Sequence, residues 1–248
     1  SSRLAQKIKA RWCISRSYFM REKYTDIMLG SDHELDRASI EKDLDCIRVI
    51  GLNPIDKSTE LFLTEDETSW AKKYLTKLGD DPSKKLIIIH PAVSQPIRHW
   101  GLARFIMLSQ KLITDYGYQV MGIFSSEEKT IADSLTEQVK EAFVYIGPIR
   151  QSIALINEAD LMVDNSSGPA QISVALKIPT LVLVGPDYKN TYHERSAYEK
   201  NNYVFFKDVP CRDLYFTKCL TPGPCEKLIC LEHPVDEVVK KSLELLRV

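Results

Sequence analysis

The sequence "DLMVDNSSGPAQISVALKIPTLVLVGP" (residues 160–186) decides the fold. Its two ends, residues 160–165 and 179–186, are short apolar runs next to turn residues, and such runs predict buried strands. Residues 169–177 between them have helical spacing and begin with a proline, which suits the first position of a helix. A strand, a helix and a second apolar strand in this order predict a parallel sheet that helices cover on both faces.

The same alternation extends upstream to about residue 85. Further strands are predicted at residues 85–91, 118–124 and 142–147, and helices at 102–117, 127–140 and 151–159. After residue 186 the pattern predicts a strand at 201–206 and an amphipathic helix at 234–246. Parallel strands joined by helices predict the α/β fold class, with a doubly wound, Rossmann-like domain.

Residues 1–84 show a sparser pattern, with helices predicted at 34–52 and 65–79 and a strand-like run at 60–64. Two or three elements do not build an independent core, and the sequence does not start with Met, so we interpret this region as the remnant of a larger N-terminal domain plus a linker. The predicted domains are residues 1–80 for the remnant and linker, 81–233 for the Rossmann-like domain and 234–248 for the final helix.

Composition argues against several classes of protein. The 248 residues carry a formal net charge of -1, so no basic surface is predicted to attract nucleic acid. The longest apolar runs, residues 86–90 and 181–185, are far shorter than the ~20 residues that a membrane span needs. Four cysteines lie close together without the C-x-x-C pairs typical of zinc sites, so we interpret them as reduced thiols in a surface loop and predict no metal. They are Cys211, Cys219, Cys225 and Cys230.

The segment "DNSSGP" (164–169) follows a predicted strand, at the sheet edge where ligands bind in doubly wound folds. Gly168 lets a ligand approach the backbone, and Pro169 starts the next helix. The free N–H groups of a helix start favour an anion, and Ser166 and Ser167 can add hydroxyl donors. These residues are equally consistent with a phosphate site and with a plain turn capped by serine.

Two other strand ends carry related side chains. The segment 90–100 holds Ser94 and Arg98, a permanent cation that can neutralise a phosphate or can simply lie on the surface. Glu127, after the next strand, is placed to accept hydrogen bonds from ribose hydroxyls or to belong to an acidic first helical turn. Together the three strand ends predict a nucleotide site. The sequence lacks the G-x-G-x-x-G and P-loop patterns, which argues against dinucleotide redox folds and P-loop NTPases.

Several segments together resemble glycosyltransferase family 9, the ADP-heptose:lipopolysaccharide heptosyltransferase family. The resembling segments are "IIIHPAVSQPIRHWGLARFIMLSQKL" (87–112), "VDNSSGPAQISVALKIPTLVLVGP" (163–186), "HPVDEVVKKSLELL" (233–246) and, upstream, residues 33–52 and 60–75. The resemblance implies the GT-B architecture, in which two Rossmann-like domains flank the active-site cleft and the C-terminal one holds a nucleotide-sugar donor. It also implies a bacterial, cytoplasmic enzyme, in peripheral contact with the inner face of the inner membrane, that needs no cofactor.

The resemblance assigns roles by position. Arg98 stands where the family has lysine and would carry the catalytic positive charge, whereas Ser166 and Gln171 stand where the family has aspartate and histidine. The donor-binding residues implied are Ser94, Glu127 for the ribose, Ile149 near adenine, and Ser166, Ser167, Gly168, Pro169 and Gln171 around the diphosphate. Asp164 shares a side of the strand with Ser166, so it is a candidate to compensate for the missing aspartate. The family's catalytic base belongs to an N-terminal segment with no counterpart here.

The resemblance also leaves two histidines to interpret. His90 ends a strand and is interpreted as a structural histidine, while His193 lies either in a lid over the donor sugar or in a solvated loop. Trp100 is interpreted as a core anchor. The predicted function is inverting transfer of a sugar, heptose by resemblance, from a nucleotide-diphosphate donor to a lipid-linked lipopolysaccharide core or related surface glycan. The alternatives are a nucleotide-sugar binding module without turnover and a GT-B nucleotide-sugar epimerase.

Overall fold

A six-stranded parallel sheet forms the centre of the molecule. The computed structural model describes residues 7–8, 10–17, 26–31, 39–186, 201–209, 211 and 228–247. The sheet strands are β3 (Leu86–His90), β4 (Gln119–Phe124), β5 (Phe143–Ile146), β6 (Leu161–Asn165), β7 (Thr180–Val184) and β8 (Asn202–Phe206). They lie in the order β5-β4-β3-β6-β7-β8, and all five pairings are parallel. This topology confirms the predicted α/β fold class and the doubly wound sheet.

Helices cover both faces of this sheet. The helices around the sheet are α2 (Glu65–Leu78), α3 (Leu102–Thr114), α4 (Lys129–Gln138), α5 (Ile149–Asn157), α6 (Gly168–Ala175) and α7 (Val235–Leu245). On one face α3, α4 and α7 pack against strand residues such as Ile87 and Ile89. On the other face α2 and α5 pack against Ile88 and its neighbours. Successive side chains of a strand point to opposite faces, so a strand buried on both faces reads as a continuous apolar run.

The N-terminal elements are β1 (Ile14–Ser17) and β2 (Ile27–Ser31), which pair in parallel, and α1 (Ser39–Arg48). The sequence pattern did not predict the two strands, and it placed the helix over a longer range. The predicted strand at 60–64 is wrong, because these residues form no regular element and lead into α2. Thr64 instead caps α2: it accepts a hydrogen bond from the Glu67 N–H, and the Glu67 carboxylate accepts one from the Thr64 N–H.

The other predicted elements are present with shifted ends. The chain leaves α3 at Thr114, and Gly117 then takes a left-handed φ of 69° that only glycine adopts without strain. A 3₁₀ turn at Ser126–Glu128 precedes α4. Across the part of the chain that the structure describes, every helix is too short or too polar to span a bilayer. His193, Cys219 and Cys225 lie outside the described residues, while Cys211 is half-buried and Cys230 is buried.

Candidate functional site

The candidate site lies where the direction of the strand order reverses. From β3 the chain moves to β4 and β5 on one side, and it then returns to β6 on the other side of β3. The carboxyl ends of β3 and β6 therefore leave a crevice between loops that diverge, the usual ligand position in open α/β sheets. The sequence had placed its two main candidate segments at these two strand ends.

A cavity of about 400 Å³ lies at this crevice. Its lining brings together His90, Val93, Ser94, Arg98, Glu128, Ser166, Ser167, Gly168, Pro169 and Gln171. We name it the polar cavity. It joins every predicted residue of the 90–100 segment with all those at the start of α6, although more than sixty residues of sequence separate the two groups.

A second cavity, of about 220 Å³, lies beside the first. Its lining is Ile123, Phe124, Ser125, Gly147, Ile149, Ser152 and Ile156, together with His90, Glu128 and Pro169 of the polar cavity. We name it the apolar cavity. Because the two cavities share three lining residues, they are neighbours along one surface. Ile149, the predicted neighbour of the base, therefore lies in a mainly apolar pocket next to the predicted anion site.

Glu127 is the predicted residue that lines neither cavity. Its side chain is exposed, and hydrogen bonds from its own backbone and from the Ser125 and Ser126 hydroxyls lower its pKa. Glu128, which is not among the predicted site residues, lines both cavities. It also accepts a hydrogen bond of 2.7 Å from the Ser125 N–H. Sequence pattern alone could not choose between two adjacent glutamates, because a 3₁₀ turn decides which carboxylate points inward.

Asp164 holds the start of α6 through hydrogen bonds to Ser167 and Ala170. It is fully buried, and its Oδ2 accepts hydrogen bonds from the Ser167 hydroxyl at 2.6 Å and from the Ala170 N–H at 2.7 Å. Its Oδ1 lies 3.1 Å from Nδ1 of His90. Asp164 thus orders the hydrogen bonds at the start of α6, while both of its oxygens bond to protein groups and it lines neither cavity. Asp164 is a capping residue, while Ser166 and Ser167 line the polar cavity.

Gly168 leaves open space beside the backbone at the start of α6. A Cβ built at this position has no heavy atom within 4 Å, and the backbone does not have a left-handed φ. The local fold would therefore accept a side chain here, which would project into open space. A glycine that neither packing nor backbone conformation requires is consistent with a ligand that needs this space.

Asn165 fixes the loop that carries Ser94 and Arg98. Its side-chain oxygen accepts a 2.9 Å hydrogen bond from the Trp100 N–H, and its amide nitrogen donates to the Pro91 carbonyl at 2.9 Å. The Trp100 ring is buried and its indole N–H donates to the His233 carbonyl at 3.0 Å, which confirms Trp100 as a core anchor. The sequence pattern did not predict the role of Asn165. The sequence signal that could have indicated this role is an asparagine at the end of a buried strand, where its amide can bond to the backbone of a neighbouring loop.

His90 is buried between two carboxylates. Its Nδ1 lies 3.1 Å from Asp164, and its Nε2 lies 3.5 Å from Oε1 of Glu128. Burial alone would lower the pKa of His90, but Asp164 and Glu128 outweigh it and raise this pKa to about 9. The same contact with His90 is the main cause that lowers the pKa of Glu128 to about 2. His90 thus has the satisfied hydrogen bonds predicted of a structural histidine, and it also lines both cavities.

Comparison with known proteins gives a consistent family. The family model for glycosyltransferase family 9 (heptosyltransferase) matches residues 1–217. The structure is similar to that of the ADP-heptose LPS heptosyltransferase II of E. coli, with a TM-score of 0.74 and 18% identity over 100% of this chain and 74% of that one. Similar values hold for a family 9 glycosyl transferase from Veillonella parvula: TM-score 0.74, 17% identity, 99% of this chain and 70% of that one.

A weaker similarity extends to the E. coli heptosyltransferase WaaC with ADP, with a TM-score of 0.55 and 17% identity over 90% of this chain and 61% of that one. Comparison with curated protein sequences finds no match. At identities of 17–18% the similarity to solved structures is evidence of fold alone, and it confirms the predicted GT-B fold class.

Proposed function

Because this chain belongs to glycosyltransferase family 9, the heptosyltransferase family, we propose that it transfers a sugar, with inversion, from a nucleotide-diphosphate donor to a glycan. The observation that supports this proposal most directly is the polar cavity, where a permanent cation, three serines and a helix start converge at the switch point of the sheet. Such a surface suits a diphosphate. Membership of a transferase family does not favour the binding-module and epimerase alternatives.

Our proposal gives the cavity residues distinct tasks. Ser94, Ser167 and the backbone at Gly168 bind the diphosphate, and Arg98 offsets the negative charge that develops on it as the sugar leaves. Pro169 starts the helix, while Ser166 and Gln171 face the sugar side of the polar cavity. Ile149 packs against the base in the apolar cavity. Glu127, one residue outside the lining, is the proposed partner of the ribose.

The finer assignments are part of the same proposal. The donor is ADP-heptose or a close analogue, because E. coli heptosyltransferase WaaC, which has a similar fold, was solved with ADP and with ADP-2-deoxy-2-fluoro heptose. The acceptor is a lipid-linked lipopolysaccharide core or related surface glycan, reached from the cytoplasmic face of the inner membrane. Residues 81–233 form the donor-binding domain, residues 1–80 belong to the acceptor side and the linker, and residues 234–248 close the donor domain.

Calorimetric titration of the chain with ADP, UDP, GDP and ADP-heptose tests this proposal. We expect selective binding of ADP that the heptose tightens. Preference for UDP or GDP would contradict the proposed donor while keeping a nucleotide-sugar site. Failure of all four nucleotides to bind would contradict the proposed function.

Two variants of Arg98 make the same titration specific to the site. Arg98→Gln removes the positive charge that faces the diphosphate, so we expect ADP to bind about tenfold more weakly, since one charge in such a site is worth at least about 1.4 kcal/mol. Arg98→Lys retains the charge and should keep most of the affinity. Equal affinity of the glutamine variant and the parent protein would remove Arg98 from the site.

A further inference from the structure

His90 contacts a carboxylate on each side and the hydroxyl that caps α6. Its Nδ1 lies 3.1 Å from Asp164 and 3.3 Å from the Ser167 hydroxyl, and its Nε2 lies 3.5 Å from Glu128. Only 7% of the residue is exposed, and that part lines both cavities. One ring therefore joins the ends of β3 and β6, the turn before α4 and the start of α6.

The charges of His90, Asp164 and Glu128 affect any anion that binds in the polar cavity. Asp164 on β6 and Glu128 before α4 each carry a negative charge, and Arg98 is the cation on the loop that faces the same cavity. With a cationic ring at His90, the three buried or half-buried groups sum to one negative charge. With a neutral ring at His90, the three groups would sum to two negative charges. A diphosphate in the cavity carries at least two negative charges of its own and would be repelled.

We propose that His90 is a positioning residue for the donor diphosphate: its cationic ring offsets the two carboxylates beneath the polar cavity and, through Asp164, holds Ser167 and the first turn of α6 in place. The inference rests on the proposed function, since the ligand is the donor diphosphate of that reaction. The inference goes further than the proposed function because it assigns a second positive charge to the polar cavity, that of His90, in addition to Arg98.

The hydrogen bonds around His90 do not by themselves require a charge. A neutral amide at position 90 could still donate to Asp164, so the capping of α6 would survive. What such a side chain could not do is balance Glu128 and Asp164 together. The state of His90 agrees with this role, because the two carboxylates raise its pKa to about 9 and keep it cationic at neutral pH.

The test compares ADP binding by calorimetry in four proteins at pH 7.5: the parent chain, His90→Gln, the double variant His90→Gln/Glu128→Gln, and His99→Gln. The first variant keeps a hydrogen-bond donor but loses the charge. The double variant returns the sum of charges to its parent value, and glutamine at 128 can still accept from the Ser125 N–H. His99→Gln is the matched control, since His99 lies in the neighbouring loop and lines neither cavity of the site.

We expect His90→Gln to bind ADP about tenfold more weakly, the size of effect that one charge at this range produces. The double variant should recover most of that loss, and His99→Gln should match the parent protein. Recovery of ADP affinity in the double variant would show that charge is the cause. If His90 had only a structural role, the double variant would bind ADP as weakly as His90→Gln or more weakly.

A pH series gives a second readout that needs no variant. Between pH 7.5 and 10 the affinity of the parent chain for ADP should fall as pH rises through about 9, where His90 loses its charge. The affinity of His90→Gln should stay flat by comparison. ADP is fully ionised throughout this range, so its own titration does not contribute.

The outcomes separate the two proposals. If the parent chain binds neither ADP nor ADP-heptose, the proposed function fails and the role of His90 fails with it. If the parent chain binds ADP but His90→Gln binds equally well, or the double variant shows no recovery, or the parent affinity is flat across pH 9, the inference about His90 is overturned while the proposed function stands.

Discussion

At the residue scale, Gly168 is the position where a small change tests the site without disturbing the fold. A Cβ there meets open space and the backbone is not left-handed, so Gly168→Val should fold and change the free energy of unfolding by less than about 1 kcal/mol. The added side chain would occupy the space above the helix start, and we expect ADP binding to be lost. Calorimetric titration and urea unfolding measure the two effects.

Gly168→Ala is the graded control for that variant. A single methyl group fills less of the space, so its ADP affinity should lie between those of the parent chain and Gly168→Val. Unchanged ADP affinity in the valine variant would show that the diphosphate does not approach this backbone.

Residue types predicted the members of the candidate site better than their roles. Serines, an arginine and a glycine at strand ends indicate an anion site because parallel strands bring their carboxyl ends to one edge. The same logic could not rank Asp164 against Ser166, since alternation along a strand places both on one side. Both residues are buried in the structure, and what separates them is position: Ser166 lines the polar cavity, whereas Asp164 lines neither cavity.

At the scale of elements, the buried amide of Asn165 holds both ends of the loop between β3 and α3. Asn165 is fully buried and bonds to the Trp100 N–H and to the carbonyls of His90 and Pro91. Asn165→Ala would leave these groups buried without partners, so we expect the free energy of unfolding to fall by about 3 kcal/mol. The loop carries Ser94 and Arg98, and ADP affinity should therefore fall as well. Urea unfolding and calorimetry report the two effects.

Asn157→Ala is the matched control for Asn165→Ala. Asn157 ends α5 with one long hydrogen bond of 3.3 Å, to the neighbouring Glu158, so its loss should cost less than about 0.5 kcal/mol. A similar cost for the two alanine variants would contradict the assigned role of Asn165.

Predictability also differed between elements. Continuous apolar strands and helical spacing predicted every strand and helix of the large sheet, because burial on both faces leaves a strong pattern. β1 and β2 escaped prediction, since "ISRS" and "IMLGS" are short and carry polar residues. The run at 60–64 looked like a strand because Leu61, Phe62 and Leu63 form a short continuous apolar run. In the structure Leu63 instead packs beside α2, where the capping box turns the chain into a helix.

At the scale of the whole molecule, α2 packs on the sheet of the proposed donor-binding domain although it precedes residue 81, the predicted start of that domain. Ala71 and Leu75 are buried against β3, β4 and α5. Glu67 at the start of α2 also pairs with Arg150, which follows Ile149 of the apolar cavity and donates to the Phe62 carbonyl. The helix therefore covers one face of the sheet and contacts the element that begins the predicted base pocket.

This packing predicts how the chain tolerates shortening. A chain of residues 57–248 keeps α2 and its cap, and should unfold cooperatively and bind ADP. A chain of residues 81–248 exposes the apolar surface that Ala71 and Leu75 cover, so its free energy of unfolding should fall by more than about 3 kcal/mol. Urea unfolding measures the free energies of unfolding of the two chains, and titration with ADP measures their affinities. Equal stability would place α2 outside the folding unit of the donor domain, whereas loss confined to the shorter chain would place the start of that unit at the Thr64 cap.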